Sequence, residues 1–494
     1  MIRTRLAHEP RAFVDKADLP QRSLVDRAGG LTPPALPFER SAAVVGVALS
    51  RWTMSYFATA VIALLAAEGL MLAGIGYPQA PIGAPASLLL VHLIAIGWLS
   101  LLMCGALFQF APVLVAKPLY NNALPLPTLG LLIAGLAALL LAFLQLGGTI
   151  HAPFGLFPAA AVLLGAGFGL VLWNLGRTLW AARPLPLPAR FVVVGLCCLA
   201  ATVLFGIVFA LVRGGVTAQS QLVDVAALGL PIHVIAGLGG WLTFTAVGVS
   251  YRLLAMFMLA PEPEGRTTRG ALYFGTAALA AIILGGVAAI CTATNLMWAV
   301  WAAGVLGIIG LALYGGDILH LYRTRKRRVI ELNSRMAGVA LANLAATVAL
   351  GLGLLLAGRF TDHVGVIVFL VAFAWLTGFG LAKLYKIVAF LTWLECYGPV
   401  LGKTATPRVQ DLVTEPRAKK WFALYFVAVW VAAAALLFTL PWLFRLGAGA
   451  MLAATIGIGF QLLRTRRLAN VAPALRLPKG ARPPHLLHSS VQPS

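Results

Sequence analysis

The chain has 494 residues, of which 61% are hydrophobic and only 11% are charged, and its mean hydropathy is +0.92. Soluble domains carry roughly a quarter of charged residues, so this composition excludes an ordinary water-soluble protein. The formal net charge of +22 would suit a nucleic-acid partner. The basic residues, however, are confined to particular loops between apolar runs, which is typical of membrane topology signals. Nucleic acid is therefore not expected as a partner.

Apolar runs of about 20 residues recur along the chain, and each is long enough to cross a bilayer as a helix. They predict an all-α polytopic membrane protein with twelve transmembrane helices in residues 42–464, between a tail of residues 1–41 and a tail of residues 465–494. In chain order the spans are predicted at 52–76, 86–114, 126–147, 156–180, 190–212, 226–259, 270–291, 297–321, 336–357, 364–397, 420–442 and 445–464.

Basic residues mark one side of the predicted bundle, most densely in RTRKRR at 323–328 and RTRR at 464–467. The loops on the other side carry only Arg213, Arg359 and Arg445. The positive-inside rule therefore predicts that both termini are cytoplasmic, in a bacterial cytoplasmic (inner) membrane. The lipid bilayer is the expected partner of the apolar surface.

Three stretches of the sequence share one pattern, GWLSLLMCGALFQFAPVL at 97–114, GWLTFTAVGVSYRLLAMF at 240–257 and AWLTGFGLAKLYKIVAFL at 374–391. They fall in the second, sixth and tenth spans, so the repeating unit is four spans long. Because four is even, the units run in the same direction. The sequence thus predicts three four-helix units related by a pseudo-threefold axis along the membrane normal. Their approximate limits are 42–185, 186–330 and 331–464.

Each residue type in the pattern has an expected structural role. Small residues before the tryptophan and seven positions after it predict close helix packing. The Ser or Thr two positions after it is expected to bond to its own helix or to a neighbour. Ten and eleven positions after it stand an aromatic and a polar residue, which predict an aromatic belt with snorkelling cations at the cytoplasmic boundary. These pairs are Phe108–Gln109, Tyr251–Arg252 and Tyr385–Lys386.

This arrangement resembles subunit I of the haem–copper oxidases, whose twelve spans form three four-helix arcs with key helices at the second, sixth and tenth positions. In detail, HLIAIGWLSLLMCGALFQFAPVL, IHVIAGLGGWLTFTAVGVSYRLLAMF and LYKIVAFLTWLE resemble bacterial subunit-I-like membrane proteins in which most metal ligands are missing. The resemblance covers residues 35–464. It implies one bound haem, a redox partner or oxidase-like subunit, and a role in redox or nitric-oxide-related metabolism.

The ligand positions of that family are only partly filled in this chain. His92 stands at the haem-ligand position of the second span and His233 at the copper-ligand position of the sixth. The seventh span lacks the two adjacent histidines of the family, and the tenth has only His363, at its outer edge. Gly237 replaces the family's cross-linked tyrosine. The resemblance therefore implies a protein without the copper site that does not itself reduce oxygen, and whether it is an enzyme stays open.

Several polar residues inside the predicted spans are candidate functional residues. His92 and His233 are candidate haem or metal ligands, or else neutral core histidines bonded to a carbonyl or hydroxyl. Glu68 could stay protonated, pair with a polar neighbour or orient a ligand histidine. Asp317 and His320, three residues apart, suggest a surface ion-pair cluster, with a proton relay as the alternative.

The cytoplasmic ends of the sixth and tenth spans carry further charges. Arg252 closes the motif of the sixth span. Lys383 and Lys386 could serve a proton or anion path, but snorkelling combined with a salt bridge, with Glu395 close by, is the simpler interpretation.

Two other functional classes fit a twelve-span chain. A secondary transporter usually repeats at half its length, whereas this pattern repeats at one third. A non-catalytic assembly subunit would share the fold and use its basic loops to contact anionic lipid or a partner. Replacing His92 distinguishes this last class from a haem protein.

Overall fold

The computed structural model describes residues 37–151 and 155–485, with side chains from residue 52 onward. Residues 1–36 of the predicted N-terminal tail and residues 486–494 of the predicted C-terminal tail lie outside this description. The protein is all-helical: 78% of the residues are in helices, and the described part contains no strand. The predicted all-α class is confirmed.

Twelve helices of the described chain are long and apolar enough to cross a membrane, in agreement with the predicted number. We number them α1 Pro37–Ala73, α2 Pro85–Val115, α3 Pro125–Leu146, α4 Leu156–Trp180, α5 Leu187–Arg213, α6 Leu230–Met258, α7 Arg266–Cys291, α8 Met297–Thr324, α9 Leu332–Leu356, α10 Val364–Val400, α11 Glu415–Leu437 and α12 Pro441–Arg466. A short exposed helix, Ser220–Leu228, precedes α6. Proline at the first position starts α2, α3 and α12, where the missing N–H costs nothing.

Three of these helices change from α to π geometry at the repeated tryptophan motif. The π segments are Leu93–Ser100 in α2, Ile235–Phe244 in α6 and Leu370–Thr377 in α10. A π turn holds an extra residue, so it redirects the side chains that follow, and such turns are frequent at functional sites. The hydrophobic pattern of the sequence did not predict them.

The helices α2, α6 and α10 occupy the middle of the bundle. In their most apolar stretches 61%, 56% and 72% of the residues are buried, against 17–50% in the other nine helices. Their three π segments contact one another. The helices that carry the tryptophan motif therefore form the centre of the protein.

The remaining helices surround this centre in a recurring order. One neighbour packs on each central helix: α1 on α2, α5 on α6 and α9 on α10. The outer pairs are α3 with α4, α7 with α8 and α11 with α12. In addition, α4 packs on α5 and α12 packs on α1, so the first and last helices are neighbours.

Small residues of the motif permit the closest of these contacts. A Cβ placed on Gly105 would lie 2.7 Å from the Cβ of Tyr56 in α1. One placed on Gly248 would lie less than 3.0 Å from the Cβ of Phe191 in α5. Real side chains do not approach so closely, so any larger residue would force these helices apart. The predicted role of the small residues in helix packing is confirmed at both positions.

The three motif tryptophans meet in the centre, where Trp98, Trp241 and Trp375 are at most 1% exposed. Each indole N–H donates to the hydroxyl that stands two residues after the tryptophan of another central helix. The bonds are Trp98 Nε1 to Thr377 Oγ1 at 2.8 Å, Trp375 Nε1 to Thr243 Oγ1 at 3.3 Å and Trp241 Nε1 to Ser100 Oγ at 3.0 Å. The bonds link α2 to α10, α10 to α6 and α6 to α2, so the three pairs of side chains join the three helices in a closed cycle. We call these six residues the tryptophan cycle.

The aromatic residues that follow each tryptophan do not form an interfacial belt. Phe108, Tyr251 and Tyr385 are at most 3% exposed and belong to the main core. The expectation of an aromatic belt was wrong because α2, α6 and α10 are enclosed by other helices along their length. Arg252 does reach a partly exposed position, where it pairs with Glu262.

The chain after α12 folds back onto the end of α10. The hydroxyl of Tyr397 donates to the carbonyl of Arg476 at 2.6 Å, and the backbone N–H of Arg482 donates to the carbonyl of Cys396 at 3.2 Å. Residues 467–485 of the predicted tail therefore pack on the bundle.

Candidate functional site

His92 and His233 lie where two central helices change their geometry. His92 immediately precedes the π segment of α2, and His233 stands two residues before the π segment of α6. Both side chains are half-buried. The structure thus places the two predicted ligand candidates beside the π segments of two central helices.

Each imidazole is held through its Nδ1 atom. Nδ1 of His92 lies 2.7 Å from the carbonyl oxygen of Leu88, and Nδ1 of His233 lies 3.1 Å from the carbonyl oxygen of Thr202 in α5. A carbonyl oxygen can only accept, so Nδ1 carries the proton and Nε2 keeps its lone pair. Metal-ligating histidines are commonly oriented by such a bond from the second ring nitrogen.

The two histidines stand at corresponding ends of α2 and α6, whose π segments contact each other. Each histidine has a phenylalanine beside it: the ring centroids of His92 and Phe143 are 5.1 Å apart, and those of His233 and Phe209 are 5.3 Å apart. Each imidazole thus has an aromatic ring beside it and is held through Nδ1, which leaves Nε2 as the atom that could act as a donor.

The described residues place no cluster of further metal-binding side chains beside the two histidines. The described residues contain no group of three or more His, Cys, Asp or Glu side chains that could hold a metal ion. His363 is buried, at 8% exposed, and precedes the first turn of α10. Among the described residues, no third side chain of these types therefore joins the two imidazoles.

Glu68 of α1 is completely buried. Thr455 of α12 donates a hydrogen bond of 2.9 Å to Oε1 of Glu68, and Oε2 has no hydrogen-bond partner among the described residues. The predicted pairing with a polar neighbour is confirmed. The alternative in which Glu68 orients a ligand histidine is not what the structure has, since His92 and His233 are both held by backbone carbonyls.

Asp317 and His320 of α8 do not form the expected surface ion-pair cluster. Asp317 is 6% exposed, whereas His320 is exposed. Both oxygens of Asp317 accept from hydroxyl groups in α6 and α7. The donors are Tyr251 at 2.9 Å, Thr267 at 2.5 Å and Thr268 at 2.8 Å. The carboxylate is thus a buried cross-link between helices, because the turn from Asp317 to His320 runs from the core to the surface.

Lys386 and Lys383 of α10 have different surroundings. Nζ of Lys386 forms an ion pair of 2.7 Å with Glu331, which confirms the predicted salt bridge. Lys383 is 4% exposed, and its Nζ has no hydrogen-bond partner in the described part of the chain. The rings of Phe379 and Phe257 lie 5.2 and 5.6 Å from it. The expectation that Lys383 snorkels was wrong, because α10 is central and this face never reaches the surface.

Glu395, near the end of α10, joins the C-terminal segment to the bundle. It pairs with Arg466 of α12 at 2.9 Å and also with His485. Arg466 in turn donates to Thr392 at 2.9 Å. This charge cluster is a structural contact at the end of α10, away from the two histidines.

No protein-family model matches the chain, and a search of curated proteins finds no relative of significant similarity.

Sequence reasoning located the histidines and tryptophans but missed how they are held. The expectation that the hydroxyl two positions after each tryptophan bonds to its own helix or to a neighbour is confirmed, since it accepts from a tryptophan of a neighbouring helix and Thr377 also donates to Ala372 of its own helix. That the partner is the repeated tryptophan was not predicted. A signal was present, since the Trp and the Ser or Thr recur together in all three segments. The carbonyl partners of His92 and His233 left no such signal.

Proposed function

We propose that the three segments of the chain are four-helix units related by a pseudo-threefold axis, as in the haem–copper oxidase subunit I that the sequence resembles. The closed tryptophan cycle supports this, because each unit contributes one donor and one acceptor to it. The packing of α1, α5 and α9 on the three central helices, and the outer pairs α3–α4, α7–α8 and α11–α12, support it as well. The distribution of basic residues among the loops supports cytoplasmic termini in a bacterial inner membrane.

Within this architecture, His92 and His233 would hold one haem. The observation that carries this proposal is that both imidazoles stand beside the contacting π segments of α2 and α6, each held through Nδ1 so that Nε2 is the atom left to bind iron. When bound, a haem held by two imidazoles would supply one-electron redox chemistry. The chain's own residues hold the imidazoles in position through Leu88 and Thr202 and keep their surroundings apolar with Phe143 and Phe209.

The physiological role that fits best is redox or nitric-oxide-related metabolism or sensing, together with a redox partner or an oxidase-like subunit. Reduction of oxygen by the family mechanism does not fit, because the residues at the family's copper-ligand positions cannot build that centre.

The test is the absorption spectrum of the full-length protein, purified in mild detergent after expression with ample haem. We expect a Soret band that is lost or shifted in H92A and in H233A. The control is H151A, because His151 lies in an exposed loop at the same end of the bundle. A Soret band equal in all four proteins would contradict the assignment of the ligands.

The absence of any Soret band in a correctly folded protein would contradict haem binding altogether. It would favour the non-catalytic assembly subunit, for which H92A has no phenotype. In that case the tryptophan cycle would remain as the structural core of the subunit.

A further inference from the structure

Glu68 is a buried acid whose position within the bundle is unusual. It lies between α1 and α12, where the first and last parts of the chain meet. It is 0% exposed, and a single hydroxyl, that of Thr455, donates to it. Oε2 has no partner within the described residues. Unpaired buried oxygens are rare in folded proteins, so this one requires an explanation.

An ionised carboxylate at this place would be strongly disfavoured. A buried charge needs a counter-ion or several donors to replace its water. None of the ion pairs in the described part of the chain involves Glu68. The titratable side chain that interacts with it from α11 is Tyr425, a hydroxyl that is itself neutral. A carboxylic acid that carries its proton has no charge to compensate, so the single bond from Thr455 leaves a far smaller desolvation cost than it would for a carboxylate.

Helix packing does not require an acid here. Tyr56 of α1 and Phe191 of α5 hold corresponding positions against the motif glycines of α2 and α6, and they are 135 residues apart. By the same offset, the counterpart of Glu68 in α5 is Val203. An apolar residue therefore serves at the equivalent position of the second unit.

Tyr425, the titratable side chain of α11 in the neighbourhood of the acid, is bonded to the centre of the protein. Its hydroxyl donates at 3.1 Å to the carbonyl of Phe373 inside the π segment of α10.

We propose that Glu68 is a proton-binding site inside the bundle, a neutral carboxylic acid that exchanges its proton and reacts with hydrophobic carbodiimides. In that reaction the acid's proton passes to a carbodiimide nitrogen and a carboxyl oxygen bonds to the central carbon. The addition has no leaving group and needs no further reactant. The proposal does not depend on a haem, and its test does not measure one.

The test uses the full chain in lipid nanodiscs, treated with dicyclohexylcarbodiimide and analysed by peptide mass spectrometry. We expect label on Glu68 that falls by about tenfold per pH unit once the acid ionises. Asp317 is the internal control, because it is equally intramembrane but its oxygens accept three hydroxyl bonds. Glu262, ion-paired and partly exposed, is the control for surface acids.

An infrared measurement and a competition experiment with Na⁺ complete the test. The infrared carbonyl band of a protonated acid should be present in the wild type and in E262Q, and absent in E68Q. Failure to label Glu68 in folded protein, label equal on Asp317, or protection by Na⁺ at constant pH would each overturn the proposal. The last result would mean that the site holds a metal cation instead of a proton.

Discussion

Replacing Thr377 by valine tests the tryptophan cycle at its shortest bond. The substitution keeps the shape of the side chain but removes the acceptor of Trp98 Nε1, which lies 2.8 Å from Thr377 Oγ1 and is fully buried. An unpaired buried donor costs about 1–3 kcal/mol, and hydrogen bonds between membrane helices contribute up to about 1.7 kcal/mol. We therefore expect T377V to lower the free energy of unfolding by about 1–2 kcal/mol.

The control for this substitution is T347V. Thr347 is as buried as Thr377, but its hydroxyl donates only to a carbonyl of its own helix, that of Asn343. Unfolding is followed by circular dichroism as SDS is added to mixed micelles, for both variants and for T377V in a W98F background. In that background the cost of T377V should fall by about 1 kcal/mol, because the donor has gone. Equal costs of T377V with and without Trp98 would refute the cycle.

In the same assay, two other pairs of substitutions should change the free energy of unfolding by different amounts or in opposite directions. K383M should leave the protein equally or more stable, because it removes a buried ammonium without a hydrogen-bond partner among the described residues, whereas K386M should destabilise it by breaking the 2.7 Å pair with Glu331; a larger loss in K383M would contradict this. G248A should cost about 1–3 kcal/mol by overpacking, while G353A should be nearly neutral because no described atom lies within 4 Å of an added Cβ. Similar values for the two glycine variants would argue against the close packing of α5 on α6.

Much of the architecture was predictable because it depends on composition along the chain. Runs of apolar residues determine the spans, and the spacing of Trp98, Trp241 and Trp375 indicated which three helices share a role. The surroundings of Lys383 were not predictable in this way. Its depth in the bundle depends on which helices enclose α10, and span hydropathy does not carry that information.

The candidate site was predictable as a pair of residues but not as a geometry. His92 and His233 stand out because histidine is rare in an apolar span. The π turns beside them shift every later side chain relative to a 3.6-residue period, so the direction of each imidazole could not be derived. The bond from His233 to Thr202 joins residues in different helices, and no local pattern marks it.

The most direct test of the account is an experimental density map of the purified full-length protein in a lipid nanodisc, prepared with ample haem. The account predicts flat density for one haem in contact with Nε2 of His92, of His233 or of both, in a bundle whose centre is formed by α2, α6 and α10. Lipid or side chains packed against both Nε2 atoms, with no haem density in the bundle, would contradict it.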